Sequence, residues 1–151
     1  MSAAVRKAVV DKLFFQSSSE RQDILNESVV KTELVGLLEY LQAKGYYIEI
    51  TAVTTDHHPD GYLSSQPGGA GTHQYGWAVD CWPLNSAKPG DYMDQTTHSF
   101  RQFLKDATGY PYTMQVGLGG AAFLQANMDV LCAYGFQDDG SDHVHLGTKP
   151  G

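Results

Sequence analysis

Histidines and acidic residues of this chain gather in three places: Asp56, His57, His58 and Asp60; His73 with Asp80; and Asp142, His143 and His145. Imidazole nitrogen and carboxylate oxygen are ligands that zinc accepts at about 2.0 to 2.2 Å, usually in a tetrahedron, and a catalytic site keeps one vertex for water. In His143-Val144-His145 the two imidazoles project to the same side of an extended strand, so one or both are candidate ligands. Asp142 lies close enough in sequence to His145 to hold or deprotonate a metal-bound water. His57 and His58 read as loop histidines.

His73 and Asp80 meet one metal only if the chain folds back between them, because a fully extended segment would separate them by roughly 23 Å. Gly76 can supply that turn, since it lacks a Cβ. Ala78 and Val79 then let the following strand enter the core and present Asp80.

The segment HQYGWAVD has the form His-x-x-Gly-x-Ala-x-Asp, and HVH closes the chain as His-x-His. In these motifs and their order, over about residues 46–147, the chain resembles the zinc peptidase family of D-alanyl-D-alanine carboxypeptidases and phage or bacterial peptidoglycan endopeptidases, together with its relative, the amino-terminal domain of hedgehog proteins. The resemblance implies one zinc ion held by His73, Asp80 and His145. It places Asp142 as the catalytic carboxylate and His143 as an active-site neighbour that steadies the scissile carbonyl oxygen.

Two departures qualify what the resemblance implies. The peptidases usually carry Glu where Asp142 stands, one methylene longer. Carboxypeptidase members commonly place an Arg at the end of the first strand, whereas residues 54–58 contain none. The implied activity is therefore internal cleavage of a peptidoglycan peptide, as in a phage lysin. The alternative, motivated by Asp142, is a catalytically inactive hedgehog-like or virion structural module that retains zinc.

The elements that must position these residues follow from periodicity. Ser17-Ser18-Ser19-Glu20 has capping-box spacing and predicts a short helix to about Asn26, with an earlier helix over residues 5–15. Val30, Leu34, Leu37, Leu38 and Leu41 recur at helical spacing, predicting a helix over residues 29–44 stopped at Gly45. Residues 46–55 and 77–82 read as strands, 56–72 as a long irregular loop, 83–91 as a turn region and 97–108 as a helix. Residues 112–116 and 143–146 read as further strands, with a partly helical segment around 123–134. The expected fold is α+β, a small mixed and mainly antiparallel sheet with flanking helices and the zinc site on the sheet face. A single domain is expected over 1–151, with N-terminal helices to residue 45 and a metal-site core over 46–147.

Composition narrows the partners. The chain has 151 residues and a formal charge of −7, with no basic stripe to neutralise a phosphate backbone, so nucleic acid is not an expected partner. No run approaches the roughly 20 apolar residues that span a bilayer, so membrane insertion is not expected. Arg6, Lys7, Asp11 and Lys12 interrupt what would be the apolar stretch of a signal peptide. A cleaved leader is therefore not expected, which suits a phage-encoded enzyme delivered to the cell wall by other means. Cys81 and Cys132 are too few and too far apart for a disulfide scaffold or a zinc knuckle.

Overall fold

The computed structural model describes residues 1–57, 67–117 and 143–151. Among the described residues, four helices accompany one five-stranded, mostly antiparallel sheet, an α+β fold. Helix α1 (Ala3–Asp11) starts at Ser2, whose Oγ accepts the Val5 N–H. The expected continuation to residue 15 is corrected: the helix stops, Leu13 is buried, and strand β1 (Phe14–Phe15) pairs in parallel with Glu49 and Ile50. Aromatic residues suit a pleated surface better than a helix end, and a sheet edge is available to them here.

Helix α2 (Ser18–Leu25) begins with the capping box read from the sequence, Glu20 reaching back to the Ser17 N–H at 3.1 Å. Helix α3 (Thr32–Ala43) buries Leu34, Leu37, Leu38 and Leu41. It starts later than residue 29 because Val29 and Val30 turn their N–H groups onto Asn26 O instead. Gly45 follows its end with a φ of 94°, the left-handed conformation that glycine adopts without Cβ strain. The Arg6 guanidinium, nearly buried, ties α1 to this corner by donating to Ile24 O at 2.7 Å and Val30 O at 3.1 Å.

The remaining strands are β2 (Tyr47–Ala52), β3 (Ala78–Leu84), β4 (Thr113–Gly117) and β5 (Val144–Thr148), in the order β1-β2-β3-β5-β4. Only the β1–β2 pair is parallel. Strand β3 runs through Pro83, which the sequence reading placed in a turn. Pairing with β5 covers only Ala78 to Cys81; beyond it the neighbour is the Tyr92–Met93 segment, where Met93 N donates to Pro83 O at 3.0 Å and Met93 O takes its bond from Trp82 Nε1, so the missing N–H of Pro83 leaves that acceptor satisfied. Helix α4 (His98–Thr108), capped by Thr97, completes the described elements.

Alternation sorts the side chains. Ile48, Ile50, Val79, Cys81, Val116, Val144 and Leu146 join the helices in one core. Burial pushes the Cys81 thiol up, leaving it an inert apolar group; Cys132 lies outside the described residues. The opposite face carries Glu49, Thr51, Asp80 and His145, since these alternate with the core residues. Antiparallel register sets Asp80 directly opposite His145, and a bulge between Ile50 and Ala52 brings Ala52 opposite Asp80 on the other side.

Two buried carboxylates of α2 hold the end of β2. Asp23 accepts from the Thr54 and Thr55 N–H groups at 3.2 and 2.8 Å and from Thr55 Oγ1 at 2.7 Å. Glu20, 1% exposed, accepts from Gln16 N at 2.8 Å, and burial together with a hydrogen bond to Asp56 raises its carboxyl from 4.5 to about 7. Asp56 in turn accepts from Val53 N at 2.9 Å.

A carboxyl whose folded pKa is raised holds its proton more tightly in the fold than in the unfolded chain. Its stabilisation is complete below about pH 4.5 and lost as pH rises through about 7. Glu20→Gln replaces the shared proton with an amide N–H and should remove that decline, leaving the variant on the order of 1 kcal/mol more stable than wild type near pH 8. Urea denaturation of both proteins near pH 5 and pH 8 measures this. Equal declines would place the pH-sensitive group elsewhere.

Candidate metal centre

Loop geometry delivers His73 to the sheet face. Gly76 N donates to His73 O at 3.0 Å, closing a turn, and Trp77 N returns to Thr72 O at 3.0 Å before β3 begins. Gly76 has a φ of 77°, and a Cβ there would sit 1.9 Å from Val29 O. Thr54 Oγ1 donates to His73 O at 2.8 Å, which joins the turn to the end of β2. Gly117, opposite His145 on β4, gives the ring space: a Cβ there would lie 2.9 Å from His145 Cβ.

His73, Asp80 and His145 are brought together with almost no solvent access. His73 Nε2 lies 3.1 Å from Asp80 Oδ1 and 3.1 Å from His145 Nδ1, and the latter is 3.4 Å from the same Oδ1. A tetrahedral ion with bonds of about 2.0 to 2.1 Å sets its ligand atoms about 3.3 to 3.4 Å apart, so the triangle has the size of one face of such a shell.

The outward nitrogens decide the tautomers. His73 Nδ1 is 2.7 Å from Val53 O, and His145 Nε2 is 3.0 Å from Gly71 O. A carbonyl oxygen only accepts, so each outward nitrogen carries the proton, and each inward nitrogen of a neutral ring presents a lone pair. Two imidazole lone pairs and a carboxylate oxygen then converge with no donor between them. A cation relieves that repulsion, and backbone carbonyls orienting ligand histidines through their other nitrogen is the usual support of a metal site.

Asp80 remains ionised. Burial would push its carboxyl up, but the close approach of the His145, His57 and His73 imidazoles outweighs this and holds it well below the usual carboxylate range.

His57 is the member that sequence reasoning missed. Its ring stacks on His73 at 3.6 Å between centroids, tilted by 9°, and its Nε2 is 3.2 Å from Asp80 Oδ2. His57, His73 and Asp80 form a group able to hold a metal ion. The available signal was position, because His57 follows the strand whose last residue, Ala52, pairs with Asp80. His143 lies near the same oxygen, its Nε2 3.8 Å from Asp80 Oδ2. Asp142, His58, Asp60 and Tyr62 lie outside the described residues.

An open groove of about 760 Å³ runs from Asp80 and His143 along Thr51, Trp82, Tyr92 and Met93. Trp82 fixes one wall by donating its Nε1–H to Met93 O at 2.8 Å. Tyr92 is held by its hydroxyl on Glu49. Trp77, the other tryptophan, is buried with its Nε1–H on Gly68 O at 3.0 Å and does not line the groove. Arg101 and Lys105 are on α4 and do not line the groove.

Comparison with family models, with curated proteins and with solved structures finds no match to this chain.

Gly76→Ala should cost more than about 2 kcal/mol, since left-handed backbone alone costs a residue with a Cβ about 1 to 2 kcal/mol and the Val29 backbone must also move. Chemical denaturation reads the loss, and a cost under about 0.5 kcal/mol would show that the turn tolerates a side chain. The purified protein should carry a divalent transition metal by elemental analysis, and the folded His73→Ala and His145→Ala proteins should each lose it. Full retention in both would remove these residues from the ligand set.

Proposed function

We propose that this chain is a zinc-dependent peptidoglycan peptidase, a cell-wall hydrolase of the endopeptidase type, akin to the zinc peptidases its two motifs resemble. The observation that carries the reading is the convergence of His73 Nε2, Asp80 Oδ1 and His145 Nδ1 beside an open groove. Two imidazoles and one carboxylate suit zinc, whereas calcium and magnesium favour oxygen-only sets. Zinc bound there would polarise a carbonyl and lower the pKa of its water toward about 7.

The chain's own residues supply the rest. Thr51, Trp82, Tyr92 and Met93 give the groove an amphipathic wall on which an extended peptide can lie, its scissile bond beside Asp80. His143 lines the groove beside Asp80, which supports its role in steadying the scissile oxygen. Asp142, the residue before it, is the assigned base that takes the water's proton and returns it to the leaving amine. Among the described residues the groove lining contains no arginine or lysine, which supports internal cleavage over clamping of a terminal carboxylate.

Purified protein incubated with peptidoglycan should release new amines and fragments, and a chelator should stop the release. Asp142→Asn should keep its metal and lose turnover, because the amide preserves shape but not basicity. Matched peptides with free and amidated C-termini should be cleaved at similar rates. A preference for the free acid of roughly ten- to a hundredfold, the worth of a charge-assisted clamp, would overturn the endopeptidase reading. Metal retention without any hydrolysis would favour the inactive, zinc-keeping module instead.

A further inference from the structure

Asp80 has two oxygens, and they face different imidazoles. Oδ1 belongs to the triangle with His73 and His145. Oδ2 lies 3.2 Å from His57 Nε2 and 3.8 Å from His143 Nε2. We propose that Asp80 bridges two divalent cations, the second held by Oδ2, His57 and His143 on the groove side of the first. This rests on the reading of the cluster as a metal centre, and it adds an ion to the single one that the sequence motifs imply.

Three observations carry it. The first is the stacking of His57 on His73: nearly parallel rings 3.6 Å apart direct their Nε2 atoms at opposite oxygens of one carboxylate. Ions bound by two such rings would be offset by about the ring spacing, and hydrolytic two-metal sites set their ions about 3.5 to 4 Å apart.

The second is the His143 distance. At 3.8 Å its Nε2 is too far from Oδ2 for a hydrogen bond, yet within about 0.4 Å of the separation that two ligands of one tetrahedral ion take. Both imidazoles thus bring their Nε2 atoms to the same oxygen.

The third is exposure. The side chains of His73 and His145 are each 1% exposed, whereas those of His57 and His143 are 19% and 16% exposed. The second position is thus the more open of the two, with His143 lining the groove, so an ion there would exchange more readily than the enclosed one. His143 would then act on the scissile oxygen through the cation it holds.

The test is metal stoichiometry, which needs no substrate. Chelator-stripped protein is titrated with Co²⁺ and with Zn²⁺, read by calorimetry and by elemental analysis after dialysis. Wild type should take up two equivalents, the second more weakly. His57→Ala and His143→Ala, each checked for native circular dichroism, should take up one. Electron paramagnetic resonance adds a spectroscopic reading: the carboxylate-bridged pair of Co²⁺ ions should couple and lose signal intensity, which returns in the one-cobalt variants.

Saturation of wild type at a single equivalent would overturn the second ion while leaving the first. A second equivalent that persists in both variants, or that departs with the surface residue His98 in His98→Ala, would also overturn it. Failure to bind any ion would overturn the metal-centre reading itself, so the two failures are distinguishable.

Discussion

Asp80 carries a negative charge almost out of reach of water, at 4% exposure, and its surroundings are arranged to compensate that charge. An isolated carboxylate in such a place would take up a proton rather than remain charged. Here imidazoles approach both oxygens, and the carboxyl is held ionised. A buried charge kept in this way is weak evidence for stability and strong evidence for a site, because an apolar residue would cost the fold less.

Holding several nitrogens within hydrogen-bonding distance of one carboxylate demands stiffness from distant parts of the chain. Antiparallel register supplies His145 opposite Asp80. Gly76 and Gly117 supply room where a Cβ would strike Val29 O or His145. Gly71 donates its N–H to Thr148 O at 2.8 Å and accepts from His145, so a single loop residue both joins the last strand and aims a ligand. On the other side, Asp23 and Glu20 fix the backbone from which Val53 O orients His73. The helices thus act on the site at one remove, through the carbonyl groups they immobilise.

The two faces of the sheet divide the work. One is closed by α3 and α4 with Leu37, Leu38, Phe100 and Phe103 fully buried. The other is left open over Thr51 and Trp82, and the open side is where the histidine and aspartate cluster meets the groove. Asp80 and His145 sit on paired strands, and such positions keep their geometry without needing a substrate to order them.

Local chemistry was legible in the sequence. Capping spacing placed α2, a 3.6-residue period placed α3, and the conformational freedom of glycine marked the turn at Gly76. The ligand types of His73, Asp80 and His145 were readable because imidazole and carboxylate are what a transition metal binds, whatever the fold. Other features were settled only by pairing between distant segments. Phe14 and Phe15 became a strand because β2 offered them an edge, and Pro83 stayed in β3 because the neighbouring Met93 O takes its bond from Trp82 Nε1 instead of a backbone N–H. His57 entered the cluster for the same kind of reason: the bulge that sets Ala52 opposite Asp80 carries the chain beyond β2 to the far side of that carboxylate. Sequence specifies which donors exist and which face of a strand they occupy, but the distances between donors many residues apart are set by register and by close backbone approach, which exist only once the sheet has formed.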